Sequence, residues 1–445
     1  MFVYSYRCGK LLYYLYRLFY NETDNNIMAV KRAAGQCGVI GMKFLQFIMM
    51  HDGFLSAEGK KHFGYVFEDC DYHRWEDTCK LYQADFGKHI HEDFTLNEDS
   101  AIVIGSGSIG QVYKLWDRAA EKEVAVKVRH PGVEVQAVRF INNVGMLLTL
   151  LEYICTVPFS FLLREFLNNI HCQLDYSQEA KNTTHLHELF KEEDCVIVPA
   201  VVRYSKNFIV MDYYEGKSYT KVEDSFKQFV AVNIYLFMLA SITCFDFLHC
   251  DLHYGNWKVT EDHKIIVYDC GIIGTTEQLE KNKQLTLMFI DGDYTKMSDI
   301  ILTEKDIQYK EKIKRCVEKE YKNSSDRLTD IIKGMILDNL KVDTRLFRCF
   351  QGFITCKNVA QVDTDRLVKI LGKEGNNKYV LISYYLNILK RLKRFNVLTE
   401  KLQAWVDEDP TYETVFSDWL EESFGHRDKD VFIDVMIERM FPHLR

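Results

Sequence analysis

A glycine-rich stretch between two strand-like segments places the strongest constraint on how this chain can fold. Residues 105–110 read G-S-G-S-I-G, and the alternating runs 101–104 and 111–117 precede and follow them. Alternation with a period of two favours strands, so the stretch predicts a loop inside an antiparallel hairpin rather than a loop that opens a helix. Glycine has no Cβ, which lets the backbone N–H groups of such a loop approach an anion closely. The stretch therefore predicts a hairpin that covers phosphates, and an ordinary turn is the alternative.

The next strand-like run carries a lysine. Residues 124–128 read V-A-V-K-V, and alternation places Ala125 and Lys127 on the face opposite the three valines. An inward-facing lysine is unfavourable unless an anion pairs with it, and phosphate oxygens and a helix glutamate are suitable partners. Glu179 is the candidate glutamate, with a solvated helix residue as the alternative. Ala125 leaves room for an adenine ring, and Met211 is assigned to the same site.

Two polar motifs follow in the second half of the chain. Asp251 and Asn256 stand five residues apart in H-C-D-L-H-Y-G-N. This spacing matches the catalytic loop of protein kinases, in which the aspartate orients or deprotonates the nucleophile and the asparagine holds a metal ion. A strand-like run then ends in D-C-G at Asp269. Carboxylate and amide oxygens are ligands that Mg²⁺ prefers, so Asn256 and Asp269 are the candidate metal ligands.

The motifs agree in order and setting, and together they predict a single Mg²⁺-ATP site. Its nucleotide-binding residues are assigned as Gly105, Ser106, Gly107, Ser108, Gly110, Ala125, Lys127 and Met211. Its catalytic residues are assigned as Asp251, Lys127 and Glu179. A zinc site formed by His249, Asp251 and His253 is the alternative, although no further ligand pair at zinc spacing accompanies them.

Composition narrows the classes of partner. The 13 cysteines are scattered without a C-x-x-C pair, which favours a reducing compartment and argues against a disulfide framework. A net charge of −8 provides no global basic field, so no nucleic-acid partner is predicted.

The order of predicted elements indicates an α+β protein with two lobes. We expect a protein-kinase-like fold with a small antiparallel-sheet N-lobe, a helical C-lobe and helical N- and C-terminal extensions. The expected divisions are a helical extension at 1–97, an N-lobe with a helical insertion at 98–215, and a helical C-lobe with its extension at 216–445.

Three segments raise the question of membrane contact. Residues 140–163 and 229–245 are long and apolar, but the first contains Glu152 and Pro158 and the second runs into the polar motif. Both are interpreted as core helices, and no transmembrane segment is predicted. The first twenty residues carry three basic and no acidic side chains. They are open to three interpretations: an interfacial anchor, a mitochondrial presequence, or a helix packed on the main domain.

Five stretches resemble the UbiB-type atypical kinases, also called the ABC1 or ADCK family, which are linked to coenzyme Q biosynthesis. They are K-F-L-Q at 43–46, G-S-I-G-Q-V-Y at 107–113, V-K-V-R-H-P-G-V at 126–133, L-D-Y-S-Q-E-A-K-N at 174–182 and the polar motif at 249–256. The resemblance implies an ATP- and Mg²⁺-dependent kinase or ATPase in isoprenoid quinone or lipid metabolism. It also implies a lipid or quinone precursor as partner, peripheral contact with a membrane, and a mitochondrial location, with the cytoplasm as the alternative. A nucleotide-gated scaffold without phosphoryl transfer and a protein kinase are the alternative functions.

The resemblance further implies a regulatory contact. Lys43 and Gln46 match the family's K-x-G-Q signature and Asp175 matches its E-x-D signature; the family lysine reaches that acidic motif and blocks peptide substrates. Here leucine replaces the signature glycine, and Gln173 replaces the first acidic residue, so the inhibition has a weaker partner. Leu252 and Tyr254 replace two family prolines, and Gly105, Gly107 and Gly110 stand where the family has an alanine-rich loop.

Overall fold

The computed structural model describes twelve separate parts of the chain. They are residues 2–50, 73–95, 102–154, 160–275, 279–291, 294–301, 309–318, 331, 334–335, 352, 377–424 and 429–440. The chain divides into two units. The first comprises Met1–Thr184, Ala200–Tyr213 and Tyr321–Lys341, and the second comprises His185–Pro199, Tyr214–Glu320 and Val342–Arg445.

An antiparallel sheet organises the first unit. Its strands are β1 (Phe94–Thr95), β2 (Ile102–Ser106), β3 (Gly110–Asp117), β4 (Lys122–Arg129), β6 (Val201–Tyr204) and β7 (Phe208–Asp212). The order is β1-β3-β4-β7-β6, and β2 also pairs with β3. The predicted meander of three consecutive strands is therefore β2, β3 and β4.

The buried face of this sheet follows from the alternation in β4. Val124, Val126 and Val128 are fully buried, whereas Ala125 and Lys127 are only half-buried. The valines join a cluster with aromatic residues of β3, β7 and the helix that covers this face. The face assignment predicted from the sequence is confirmed.

The described part of the first unit also contains helices. They are α1 (Phe2–Tyr20), α2 (Asp24–Gln36), α3 (Val39–Met50), α4 (Trp75–Phe86), α5 (Ile90–Asp93), α6 (Val133–Ile154), α7 (Ser160–Gln173) and α8 (Tyr176–Phe190). α1 packs on α2 and α6, and the buried Phe44 of α3 contacts Phe140 and Phe166 of the next two long helices. The N-terminal extension therefore packs against the helical insertion.

The interpretation of residues 140–163 as a core helix is wrong for α6. The sequence predicts a core helix here, yet only 22% of the most apolar 18-residue stretch of α6 is buried. Its buried residues Val133, Ala137, Phe140, Val144 and Leu148 form one stripe at helical spacing. The opposite face, also apolar, is exposed, because the partner helices cover a single side.

The second unit is mainly helical. Its helices are α9 (Asp224–Phe245), α10 (Leu279–Asp291), α11 (Met297–Ile301), α12 (Lys310–Glu318), α13 (Asn377–Leu392), α14 (Asn396–Glu408), α15 (Thr411–Phe424) and α16 (Lys429–Met440). Its short strands are β5 (Val196–Ile197), β8 (Leu248–His249), β9 (Trp257–Val259), β10 (Ile265–Val267) and β11 (Ile273–Gly274). β10 lies between β5 and β9, and β8 pairs with β11.

The core of the second unit forms around α9. This helix is apolar on all sides, and 82% of its most apolar 18-residue stretch is buried. It packs against α10 and α14. Both α6 and α9 are long and apolar enough to cross a membrane by length and composition alone. The core-helix interpretation holds for α9. Trp405 and Trp419 lie in the same buried cluster.

Candidate nucleotide-binding and catalytic residues

The glycine-rich loop joins β2 to β3, as a hairpin requires. Gly105 pairs with Val112 in the ladder, and the N–H of Gly107 donates to the carbonyl of Gly110 at 2.8 Å. Across the part of the chain that the structure describes, no backbone hydrogen bond uses the N–H groups of Ser108 or Ile109. These two donors at the loop tip suit an anionic oxygen.

One glycine of the loop is required by close packing. A Cβ added at Gly110 would overlap the hydroxyl of Tyr176 and the carbonyl of Val128. A Cβ at Gly105 would meet nothing, and one at Gly107 would make only an ordinary van der Waals contact. The third glycine is therefore a steric necessity of this fold, whereas the first two leave space for a ligand or a methyl group.

An ion pair joins β4 to α8. The Nζ of Lys127 lies 2.6 Å from Oε1 of Glu179, with side-chain exposures of 14% and 6%. The same ammonium lies 5.0 Å from the ring centroid of Tyr176. Strand alternation directs the lysine to this face, and the first turn of α8 supplies the glutamate. Because the pair is largely buried, removing either partner would leave an uncompensated charge.

The two remaining nucleotide assignments of this unit lie beside that pair. Ala125 and Met211 are directly opposite each other in the β4–β7 register. Paired residues of neighbouring strands share a face, and Ala125 shares its face with Lys127 two residues on. The structure therefore brings Ala125, Lys127 and Met211 together on one face of the sheet.

In the second unit, the catalytic-loop motif forms a connected turn. The Nδ2 of Asn256 donates to the carbonyl of Asp251 at 2.8 Å and approaches its Oδ2 at 3.3 Å. With the amide nitrogen used in this way, the side-chain oxygen of Asn256 faces elsewhere and is the atom that could bind a cation. The five-residue spacing recognised in the sequence is what allows this contact.

The buried His249 organises both sides of the turn. Its Nδ1 accepts from the N–H of Asp251 at 3.2 Å, and its Nε2 donates to the carbonyl of Tyr268 at 3.2 Å. Burial lowers the pKa of His249, which is consistent with a neutral imidazole. With both ring nitrogens used, His249 is not a zinc ligand. Among the residues that the structure describes, no group of three or more His, Cys, Asp and Glu side chains is arranged to hold a metal ion.

The backbone of Asp269 adopts a left-handed conformation. Its φ is +61°, a region that aspartate and asparagine tolerate better than most non-glycine residues. The preceding Tyr268 donates its N–H to the carbonyl of Asn256 at 3.1 Å. The two candidate metal ligands are thus tied together through one backbone hydrogen bond. A carboxylate and an amide oxygen, completed by phosphates and water, fit the preference of Mg²⁺.

An aromatic cluster beside this loop escaped the sequence analysis. Tyr254 stacks on Tyr219 at a centroid distance of 5.3 Å, and both rings contact Trp257. The indole N–H of Trp257 donates to the carbonyl of the fully buried Leu252 at 3.3 Å. Leu252 and Tyr254 stand where the family has prolines, so packing replaces ring rigidity in holding the loop. The sequence signal for this cluster was the presence of two aromatic residues, Tyr254 and Trp257, within six positions after Asp251.

The described residues do not show the ion pair expected between Lys43 and Asp175. Asp175 accepts from the N–H of Ser177 at 2.9 Å and caps the start of α8. Lys43 and Gln46 lie on α3, which packs against α6 and α7. Within the described ranges, no ion pair links Lys43 to Asp175. A regulatory role for the three residues stays a prediction.

A known protein domain matches the part of the sequence that contains these residues. The sequence profile described as "ABC1 atypical kinase-like domain" matches residues 65–301. The chain belongs to this family. The resemblance noted from the sequence is confirmed, and so is the two-lobed, kinase-like α+β fold class. The matched range contains the glycine-rich loop, the Lys127–Glu179 pair and the turn from His249 to Asp269, so this ABC1 protein is an atypical kinase-like protein of the UbiB type.

Three relatives show the extent of the likeness. ACTIVITY OF BC1 COMPLEX KINASE 3, chloroplastic, from Arabidopsis thaliana is 29% identical over 39% of this chain and 26% of that protein. AarF domain-containing protein kinase 1 from Xenopus tropicalis is 28% identical over 43% of this chain and 38% of that protein. ABC1 family protein MCP2 from Saccharomyces cerevisiae is 26% identical over 52% of this chain and 45% of that protein. This chain therefore spans less than half the length of each of them.

Among solved structures, a Mycobacterium tuberculosis protein in complex with erythromycin aligns with a TM-score of 0.41 and 16% identity. The alignment covers 64% of this chain and 82% of that one.

Proposed function

We propose that this ABC1 protein binds Mg²⁺-ATP and acts as an atypical kinase or an ATPase. The observation that carries the proposal is the ion pair of Lys127 and Glu179, whose charged atoms lie 2.6 Å apart. The pair keeps a cation on the same sheet face as Ala125 and Met211. In protein kinases, activity requires a strand lysine held by a helix glutamate, because that lysine binds the nucleotide phosphates.

Each assigned side chain has a role in this chemistry. Lys127 binds phosphate oxygens, and Glu179 holds the ammonium in place. The carboxylate of Asp251 orients the attacking hydroxyl or water and accepts its proton. The side-chain oxygens of Asn256 and Asp269 hold Mg²⁺, which when bound neutralises charge on the phosphates. The loop N–H groups cover the phosphates and exclude water.

One assay distinguishes the proposal from its alternatives. Purified protein is incubated with labelled ATP and Mg²⁺, and the wild type is compared with the Asp269→Asn variant. Metal-dependent phosphate release that the variant loses supports the proposal. Nucleotide binding without turnover supports a gated scaffold, and transfer of label to added peptide supports a protein kinase. Absence of binding in the wild type contradicts all three.

We assign the acceptor to the isoprenoid quinone precursors or lipids, and the compartment to the mitochondrion. The match to the ABC1 family supports both assignments, because the resemblance to UbiB-type proteins implies a link to coenzyme Q biosynthesis. The test is incubation of the enzyme and labelled ATP with a lipid extract of mitochondria, followed by separation of labelled lipids. Label that remains only in inorganic phosphate contradicts a lipid acceptor. Fractionation of cells that express the tagged chain tests the compartment.

The exposed face of α1 supports contact with an anionic membrane surface. Cys8, Leu11, Leu15 and Leu18 are buried against the neighbouring helices. The opposite face exposes Val3, Tyr6, Arg7, Tyr13, Tyr16, Arg17 and Tyr20. Tyrosine and basic side chains suit the headgroup region, and the helix has no acidic residue that would oppose binding.

Vesicle sedimentation tests the membrane contact. The double variant Lys10→Glu/Arg17→Glu should bind phosphatidylglycerol vesicles at least about tenfold more weakly than wild type, because each basic residue contributes about 1 kcal/mol near an anionic surface. The matched control is Lys80→Glu/Arg118→Glu, which makes the same charge change at exposed positions elsewhere in the unit. Equal binding by both double variants contradicts a role for α1.

A further inference from the structure

A chain of hydrogen bonds runs from β3, through Thr78 of α4, to the tip of the glycine-rich loop. It begins at Gln111, Tyr113 and Thr78, which are buried, and continues through His73 and His130 to Gly107. All of these residues belong to the first unit. Apart from Gly107, which was assigned to nucleotide binding, none of them was given a function from the sequence.

At the loop end of this chain of hydrogen bonds, His130 holds two peptide groups of the loop tip. The Nε2 of His130 lies 2.9 Å from the carbonyl oxygen of Gly107. The backbone N–H of the same histidine donates to the carbonyl of Ile109 at 2.7 Å. Since the N–H of Gly107 is bonded to Gly110, both polar groups of the Gly107 backbone are engaged. The N–H groups of Ser108 and Ile109 lie between these two anchors.

The other end of the chain orients the imidazole of His130. Its Nδ1 lies 2.7 Å from Nδ1 of His73. The Nε2 of His73 lies 2.8 Å from Oγ1 of Thr78, which lies 2.9 Å from the hydroxyl of Tyr113. The backbone of His73 is held as well, because Gln111 accepts from its N–H at 3.0 Å and donates to its carbonyl at 3.1 Å.

The donors and acceptors permit one direction of this chain with both imidazoles neutral. A carbonyl only accepts, so Nε2 of His130 carries the hydrogen and its Nδ1 accepts. His73 must then donate from Nδ1 and accept at Nε2 from Thr78. Thr78 in turn accepts from Tyr113, whose oxygen accepts from the amide of Gln111. In this arrangement, every polar hydrogen that takes part in this chain of hydrogen bonds has an acceptor.

The charge state agrees with this direction. Burial lowers the pKa of His73 to about 4, with a smaller lowering by His130 and an opposing influence of Asp77. Burial also lowers the pKa of His130. Both rings are therefore neutral at pH 7. A second proton on His73 would make it donate to Thr78, which would leave the hydroxyl hydrogen of either Thr78 or Tyr113 without an acceptor in this chain of hydrogen bonds.

We propose that His130, oriented by His73, is a positioning residue that fixes the Gly107 peptide so that the N–H groups of Ser108 and Ile109 face the nucleotide phosphates. This inference rests on the proposed function, because it assigns a role in ATP binding. In this proposal, His73 acts on the loop only through His130. It also explains why two titratable side chains are placed beside a phosphate-binding loop without serving as general acid or base.

Nucleotide affinity tests the positioning role. The His130→Ala variant should bind a fluorescent ATP analogue with Mg²⁺ about fivefold more weakly, the usual effect of one lost hydrogen bond. His130→Gln should bind within about twofold of wild type, because its amide places a donor near the position of Nε2. His73→Ala should weaken binding in the same direction as His130→Ala. His91→Ala, an exposed histidine of the same unit, is the matched control and should have no effect.

Histidine NMR tests the geometry independently of nucleotide. Long-range ¹H–¹⁵N spectra of the wild type should show His130 as the Nε2–H tautomer and His73 as the less common Nδ1–H tautomer at pH 7. The spectra of the His130→Gln and His73→Asn variants assign the two signals. The opposite tautomers, or a charged ring at pH 7, would overturn the inference. So would wild-type affinity in His130→Ala, whereas a wild type that binds no nucleotide would overturn the proposed function itself.

Discussion

Asp269 combines an unusual backbone conformation with a proposed role as a metal ligand. A φ of +61° costs free energy for most residue types other than glycine. Aspartate and asparagine both tolerate this region better than most. Left-handed backbone at a residue that carries a functional group is typical of sites where the fold holds a ligand-binding atom in place. The backbone bond from Tyr268 to Asn256 maintains this conformation.

Substitutions at this residue separate strain from chemistry. Asp269→Asn should abolish Mg²⁺-dependent ATP turnover and leave thermal stability nearly unchanged. Asp269→Ala should abolish turnover and also destabilise the protein by about 1 kcal/mol, because alanine is less tolerant of the left-handed region. Phosphate release and thermal unfolding are the measurements. Equal stability losses in both variants would argue that the carboxylate, rather than the backbone, determines the stability at this position.

The loop glycines differ in what they permit. Gly110→Ala should destabilise the protein by about 1–3 kcal/mol, because the added methyl group would overlap the Val128 carbonyl and the Tyr176 hydroxyl. Gly105→Ala, where a methyl group meets nothing, should leave stability within about 0.5 kcal/mol. Denaturant unfolding compares the two. Wild-type stability in Gly110→Ala would mean that both the Tyr176 side chain and the Val128 carbonyl shift at little cost in free energy.

The pKa of His73 predicts a dependence of stability on pH. Its folded value of about 4 lies below the ordinary 6.5, so the unfolded state binds the proton more readily. The stabilisation is fully present above pH 6.5 and decreases as the pH falls towards 4, by up to about 1.4 kcal/mol per pH unit. Relative to His73→Asn, the wild type should therefore lose free energy of unfolding over this range. Parallel curves for the two proteins would contradict a neutral, buried His73.

At the scale of elements, β4 and α8 illustrate how far local pattern reaches. Alternation in β4 was sufficient to orient Lys127, because a strand has only two faces. It could not identify Glu179, which lies 52 residues further along the chain. That pairing depends on α8 packing beside the sheet. The exposed apolar face of α6 has the same origin, since composition predicts that a helix can be buried but not which neighbours cover it.

The ion pair between these elements allows a double-mutant cycle. Lys127→Met and Glu179→Gln should each abolish tight nucleotide binding, and Lys127→Met should lower stability by about 3 kcal/mol because it leaves a buried carboxylate unpaired. The double variant should be less destabilised than the sum of the single variants, because no unpaired charge remains. Denaturant unfolding supplies the four free energies. Additive losses would contradict direct coupling.

At the scale of the whole molecule, the two units carry complementary parts of the proposed chemistry. The first unit contains the glycine-rich loop and the Lys127–Glu179 pair, and the second contains the residues assigned to proton transfer and metal binding. Both parts fall within residues 65–301, the range of the ABC1 domain. The helices α13 to α16 lie beyond that range and complete the core around α9.

Ligand linkage tests whether the two sets of residues bind the same Mg²⁺-ATP. At about 100 times its dissociation constant, Mg²⁺-ATP should raise the free energy of unfolding by about 2.7 kcal/mol. Chelation of the metal should remove most of this gain, and both Lys127→Met and Asp269→Asn should reduce it. Thermal unfolding with and without nucleotide is the measurement. A gain that survives Asp269→Asn unchanged would argue that the second unit does not contribute to binding.

The sequence by itself determined the features that depend on short-range order. These are the hairpin around residues 105–110, the faces of β4, the five-residue turn from Asp251 to Asn256, and the family to which the chain belongs. Periodicity and spacing constrain such features, because they act within one or two elements.

Only the tertiary structure decided which distant residues meet. It joined Lys127 to Glu179, linked His73 to His130 across 57 residues, and left one face of α6 exposed. It also showed that both ring nitrogens of His249 are engaged in hydrogen bonds, to Asp251 and Tyr268, rather than left for zinc. These outcomes depend on which helix packs on which face, and that is settled by burial and hydrogen bonding over the whole unit rather than by any local pattern.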